Sequence, residues 1–198
     1  MKSTVYIKSY NAPEIDKKEI LRYAGVNQPD RETLALLDRT IMESSDVFSY
    51  KVTYSRYPIR VDGDSLDLGF AKACSRSLSI CLKECDEIIV FCATVGVELD
   101  RLIKRYSLIS PAYAVMLQAF GSERVEALCD SFCADMAEEI GRALRPRFSP
   151  GYGDLSLEIQ RDIFSALQPQ KIGVSLGENL FMTPSKTVTA IIGIKKEI

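Results

Sequence analysis

Apolar residues recur along the chain in two registers, alternating or at helical spacing, and each stretch predicts an element. Thr4 to Tyr10 are β-prone and predict an edge strand. After Pro13 and Glu14, the spacing of Ile15, Ile20, Leu21 and Tyr23 predicts a short amphipathic helix stopped by Gly25. Asp30 is placed to cap a second helix that carries Leu34, Leu37 and Ile41. Alternation returns at Val52, Tyr54, Ile59 and Val61, with Pro58 and Asp62-Gly63-Asp64 as turn signals, and predicts a β-hairpin or small meander. A helix is expected from about Phe70 to Glu84. Ile88-Ile89-Val90-Phe91 is a continuous apolar run, the mark of a central strand buried on both faces. It leads through Ala93-Thr94-Val95-Gly96 into a helix whose first turn holds Glu98 and Asp100, where acids complement the dipole. Ser110-Pro111 opens a long helix to about Leu144, with Leu117, Val125, Leu128, Phe132, Met136 and Ile140 inward and Gly121-Ser122 as a candidate kink. Leu155, Ile159, Ile163 and Leu167 share a face of a later helix, capped by Asp154, and Val188 to Ile194 form a last strand.

This order of elements predicts an α+β fold: a single domain with a mixed or antiparallel sheet and long flanking helices. Residues 1–68 supply N-terminal helices and a hairpin, and residues 69–198 the core. A chain of 198 residues can bury a substantial core, and 46% apolar with 26% charged residues suits a soluble globular protein. No apolar run is long enough for a membrane span, and Met1 to Ile7 lack the apolar core of a signal peptide. A cytoplasmic setting is expected. The net charge is -2 with no basic stripe, against a nucleic-acid partner, and Lys195-Lys196 read as a solvated end.

Histidine is absent. That removes Ser-His and Cys-His nucleophile pairs, histidine metal ligands and the usual general base near neutral pH. Six cysteines are present: Cys74, Cys81, Cys85, Cys92, Cys129 and Cys133. Cys81/Cys85 and Cys129/Cys133 are i,i+4 pairs and no C-x-x-C occurs, which favours buried apolar side chains over a metal or redox motif. A thiolate role or an iron–sulfur cluster is the other reading.

The most informative segment is Arg145-Pro146-Arg147-Phe148-Ser149-Pro150-Gly151-Tyr152-Gly153-Asp154. Its prolines end the preceding helix, and Pro150-Gly151 suits the centre of a type II turn. A rigid corner of this kind suits a zwitterionic small molecule. Arg147 can pair with a carboxylate in bidentate fashion, free amides can meet a base edge, and Gly151 allows close approach. An ordinary helix–helix connection with a surface arginine has the same sequence features.

A second segment narrows the choice. Leu176, Glu178, Met182, Pro184 and Val188 lie in a stretch running from Leu176 to Ala190, with Asn179, Thr187 and Thr189 among them. Together the two segments resemble the S-adenosylmethionine-binding activation (reactivation) domain of cobalamin-dependent methionine synthase in its stand-alone form. That family carries Arg-Pro-x-Pro-Gly-Tyr, then a helix, then Leu-x-Glu-Ser-x-x-Met-x-Pro-x-x-Ser-Val-Ser-Gly. Arg147, Pro150, Gly151 and Tyr152 match the first motif; Leu176, Glu178, Met182, Pro184 and Val188 match the second, with Asn179, Thr187 and Thr189 as near-conservative replacements for its serines. Where the family has proline after the tyrosine this chain has Gly153, and where it has aromatics after the last strand motif this chain has Ile191 and Ile192.

The resemblance implies S-adenosylmethionine as cofactor, with Arg147 on its carboxylate, Tyr152 beside it, and the backbone around Ser149 and Gly151 in contact. Glu98, Asp100 and Glu178 are candidates for its amino group. It implies no catalytic residue and no protein metal site. It further implies action in trans on a corrinoid-binding methyltransferase subunit, with cobalamin held only by that partner and a flavodoxin or ferredoxin as electron donor. A homodimer is compatible with it. Two rival readings stay open at this stage: an interaction subunit of a corrinoid complex that binds no ligand, and an enzyme using a thiolate such as Cys92.

Overall fold

The computed structural model describes residues 4–197; the leader reading at Met1 to Ser3 falls partly outside them. In chain order the elements are β1 (Tyr6–Ser9), α1 (Lys17–Tyr23), α2 (Arg31–Ser44), β2 (Lys51–Pro58), β3 (Arg60–Asp62), β4 (Ser65–Asp67) and β5 (Lys72–Cys74). There follow α3 (Arg76–Cys81), β6 (Cys85–Thr94), α4 (Glu98–Tyr106), α5 (Pro111–Ile140), α6 (Ile159–Leu167), β7 (Ser175–Leu176), β8 (Met182–Thr183) and β9 (Thr187–Lys195). The fold is a single α+β domain around an antiparallel sheet of order β1-β2-β6-β9.

The apolar run read as a central strand is the middle of β6, and its alternation builds two cores. Ile88, Val90 and Cys92 face one side with Ile191 of β9. Ile89, Phe91 and Ala93 face the other, with Val52 and Tyr54 of β2 and Ala190, Ile192 and Ile194 of β9. All six β6 residues are fully buried. A strand covered on both faces has no polar side to show, so it reads as continuous hydrophobicity. α5 covers the second face through Val125, Leu128, Cys129, Phe132 and Met136, with the Phe91 and Phe132 rings 4.8 Å apart. α6 and β4 cover the first through Ile159, Ile163, Leu167 and Leu66.

β2 pairs along its whole length with β6, so the N-terminal part of the chain shares the main sheet. The expected hairpin resolves into β2 plus a separate three-stranded meander, β3-β4-β5. The helix expected from Phe70 to Glu84 is a correction. Lys72–Cys74 are drawn into pairing with β4, Ser75 caps Leu78, and only Arg76–Cys81 are helical. The first helix likewise starts later than its apolar spacing suggests, because Asp16 caps it. Asp30 caps α2 as expected, but Leu34 is exposed while Leu37 is fully buried.

α5 runs 30 residues without a break and ends at Gly141 in the left-handed region, φ 65°. Gly121 is therefore a contact and not a kink. A Cβ there would lie 2.2 Å from Cδ2 of Leu99 on α4 and 3.0 Å from Cγ of Lys186. Further along, Arg124 is buried, pairs with Glu123 and donates from Nη1 to the Pro13 carbonyl at 2.6 Å, while Glu123 accepts from the Asp16 amide. This pair ties the segment before α1 to the long helix.

Candidate functional site

The proline-rich corner is held from three directions. Residues 143–148 run beside β9 as a partial fifth strand: the amides of Arg145 and Phe148 donate to the carbonyls of Gly193 and Ile191 at 2.8 and 2.9 Å. The chain then turns over Ser149–Tyr152, with the Tyr152 amide on the Ser149 carbonyl at 3.2 Å and Gly151 at φ +85°. That is the type II geometry which Pro150-Gly151 predicts.

Gly153 comes next at φ +56°, and a Cβ on it would lie 2.8 Å from Cβ of Ser77. Proline, with φ fixed at about −65°, could not stand at this position. Asp154 is the second correction. It does not cap its own helix, which starts at Ile159, but accepts from Ser75 Oγ (2.6 Å) and the amides of Arg76 and Ser77 (2.9 and 3.1 Å). The Ser75 hydroxyl above all, with those two amides, holds the Asp154 carboxyl far below its ordinary range.

From this corner Arg147 reaches back to α5. Its Nη2 donates to Glu126 Oε2 at 3.1 Å and Asp130 Oδ1 at 2.8 Å. Glu126, Cys129, Asp130 and Cys133 fall at helical positions i, i+3, i+4 and i+7, one face of α5. The expected bidentate fork is therefore half committed within the protein. The other terminal nitrogen, Nη1, is buried and meets no acceptor oxygen.

Burial pushes the thiols beside the guanidinium up, Cys129 to about 12 and Cys133 to about 11, with the Arg147 charge pulling the other way. Cys92 lies fully buried inside the sheet, and burial raises its thiol strongly as well. Reactive cysteines are exposed and have lowered pKa values, so Cys92 has the opposite environment. Among the described residues no group of three or more His, Cys, Asp or Glu is placed to hold a metal ion.

The corner and α5 enclose an open cleft of about 250 Å³ lined by Glu126, Arg147, Phe148, Ser149, Tyr152 and Val188. Arg147, Ser149 and Tyr152 are thus brought together, Gly151 shapes the turn between them, and Tyr152 stands 69% exposed at the rim. The amides of Phe148, Gly151 and Tyr152 are spent on the carbonyls of Ile191, Leu155 and Ser149. Fewer backbone donors face the cleft than the loop's composition suggests.

Glu178 is not part of this cleft. It is exposed in the β7–β8 turn, and its carbonyl accepts from Arg161 at 3.1 Å. Asp100 accepts from the amide and hydroxyl of Ser185 at 2.7 and 2.6 Å, and Glu98 pairs with Arg101 on the surface. The carboxylates that do meet Arg147 are Glu126 and Asp130, which motif reading misses. The i,i+4 spacing of Glu126 and Asp130 gives little signal, because α5 holds a second such acid pair in Asp135 and Glu139, which meets Lys8. Ile191 and Ile192, where the family has aromatics, are core residues on opposite faces of the sheet.

The fold is similar to that of the MetH reactivation domain, whose crystal structure has AdoHcy bound. The TM-score is 0.68, covering 96% of this chain and 78% of that one, at 13% sequence identity. No protein-family model and no curated protein matches the sequence. At that identity the likeness is one of fold. Among the described residues no helix is long and apolar enough to cross a membrane.

Proposed function

We propose that this protein is an S-adenosylmethionine-binding reactivation module acting in trans on a corrinoid methyltransferase, with methionine synthase as the first candidate partner. The single observation that carries the reading is the cleft at the proline–glycine corner. It lies in the fold of a domain that binds AdoHcy and is lined by a guanidinium and a carboxylate.

The residues present fit the amino-acid end of such a ligand. Arg147 Nη1 is buried and meets no acceptor oxygen. A ligand carboxylate would supply the missing acceptor. Glu126, which lines the same cleft and meets Arg147 Nη2 at 3.1 Å, would turn to the ammonium group, and Asp130 would keep Nη2 in place. Ser149 adds a hydroxyl to the lining and Tyr152 an aromatic rim. A guanidinium and a carboxylate side by side suit a zwitterion better than a simple anion.

When bound, S-adenosylmethionine supplies an electrophilic methyl on its sulfonium. The chain's own part is binding and orientation, which needs no general base and so is consistent with the absence of histidine. The corrinoid, cobalamin in the methionine synthase case, would be held by the partner, and a flavodoxin or ferredoxin would deliver the electron. Six free thiols suit a cytoplasmic setting, where cysteines stay reduced.

Calorimetric titration with S-adenosylmethionine, S-adenosylhomocysteine and methionine tests the reading. Binding of the first two by the wild type is expected, with at least a tenfold loss in Arg147→Ala, about 1.4 kcal/mol. Unchanged affinity in that variant would remove Arg147 from the site. One observation favours a second reading, an interaction subunit without a ligand: Glu126 and Asp130 already neutralise Arg147. That reading predicts corrinoid-protein binding and no heat with any of the three compounds.

A further inference from the structure

A second cleft, of about 620 Å³, opens where β6 begins and β9 ends, and it shares no lining residue with the corner. That volume falls within the range of roughly 300–1,000 Å³ that encloses small molecules. One wall is the start of the meander, from Ile59 to Gly63. The other is the turn from α3 into β6, from Ser79 to Asp86, with Lys196 beside it. Three hydrogen bonds fix these walls. Ile59 N donates to the Asp86 carbonyl at 2.9 Å, Ser79 Oγ to the Gly63 carbonyl at 2.6 Å, and Lys196 N to the Glu84 carbonyl at 2.9 Å. Lys196 is therefore held at the rim of a hollow, where the sequence suggests only a solvated end.

The charges around this cleft do not cancel. Both acids in its lining are engaged from outside it: Glu84 by Arg145 at 3.3 Å, and Asp86 by Arg142, whose Nε is anchored on the Lys195 carbonyl at 2.8 Å. Arg60, Lys83 and Lys196 are exposed and make no ion pair among the described residues. Three unanswered cations thus meet around one hollow in a protein whose net charge is -2. Scattered over a surface they would simply be solvated, but converging on a cleft they raise the local potential for an anion. A guanidinium fork and two ammonium groups match the oxygens of a phosphate. The lining is also partly apolar, with Ile80 65% and Val61 39% exposed beside the cations.

We propose that this cleft binds a phosphorylated small molecule, its phosphate oxygens on Arg60, Lys83 and Lys196 and an aliphatic body against Val61 and Ile80. The assignment is independent of what the corner binds.

The test uses the full chain with two probes, pyrophosphate and isopentenyl diphosphate. The second adds an aliphatic body to the same anion and carries no nucleoside or amino-acid end. Calorimetry at low salt should show both bound by the wild type, with isopentenyl diphosphate about threefold tighter or more. The double variant Arg60→Gln, Lys83→Gln should weaken both about tenfold or more, while Arg31→Gln, at an exposed cation on α2, should leave both unchanged. Ile80→Ser should bring isopentenyl diphosphate down to the affinity of pyrophosphate. Amide shifts on titration, read by NMR, should fall at residues 60–63 and 83–86. No binding by the wild type, an equal loss in Arg31→Gln, or shifts confined to residues 147–152 overturns the cleft assignment. Equal affinity of the wild type for the two probes removes the aliphatic contact and overturns the proposal as stated.

Discussion

At the residue scale the chemistry is set by what surrounds each charged or polar group. Asp154 has no acidic chemistry of its own to offer, because Ser75, Arg76 and Ser77 consume its lone pairs. Its folded pKa is depressed, so its contribution to stability is present above the unfolded value near about 3.9 and is lost as the pH falls through the folded one. Asp154→Asn should lower Tm at pH 7, and the difference from wild type should shrink as melts are run at progressively lower pH below about 4. A constant difference across that range would mean the carboxylate charge is not what counts. The thiols make the converse case. Cys74 is exposed whereas Cys92 and Cys129 are fully buried with raised pKa values, so iodoacetamide at pH 7.5 should label Cys74 first and Cys92 only on unfolding. Peptide mapping by mass spectrometry reads this, and fast native labelling of Cys92 would revive a thiolate enzyme. Motif residues Arg147, Ser149 and Tyr152 were legible because their spacing in the chain is local. Glu126 was not, since its link to Arg147 spans 21 residues and exists only once α5 lies beside the corner.

At the element scale, periodicity identified what burial enforces. β6, β9 and α5 are covered along their inner faces, so their apolar patterns are strong and their placement agrees with expectation. α3 and the meander are short and half exposed, and there pairing of Lys72–Cys74 with β4 overrode a helical pattern. The long helix shows how a local rule can point the wrong way. Glycine inside a helix is about 1 kcal/mol less favourable than alanine, which suggests that Gly121→Ala should stabilise. Leu99, fully buried, would meet the new methyl at 2.2 Å, and overpacking of a rigid site costs about 1–3 kcal/mol. The collision wins, and Gly121→Ala should lower the denaturant midpoint with the m-value unchanged. A stabilised variant would show that α4 yields easily to α5.

For the whole molecule, sheet and helices act as a frame that brings a corner of the chain against α5. The class of fold was legible because β2, β6, β9, α5 and α6 each bury a face in the two cores that flank the sheet. The order β1-β2-β6-β9 was not, because pairing partners distant in sequence leave no local trace. If this frame serves a corrinoid protein in trans, adding the chain to an oxidised corrinoid methyltransferase with an electron donor and S-adenosylmethionine should restore turnover. Arg147→Ala should then restore it at least tenfold more slowly, with an unchanged melting profile.

The account depends most on the corner between residues 145 and 154 gripping the amino-acid end of the ligand, and a crystal structure with S-adenosylhomocysteine tests that without intermediaries. The carboxylate is predicted within hydrogen-bonding distance of Arg147 and the ammonium beside Glu126. A cleft filled by the protein's own side chains, with Arg147 still closed on Glu126 and Asp130 at saturating ligand, would contradict it.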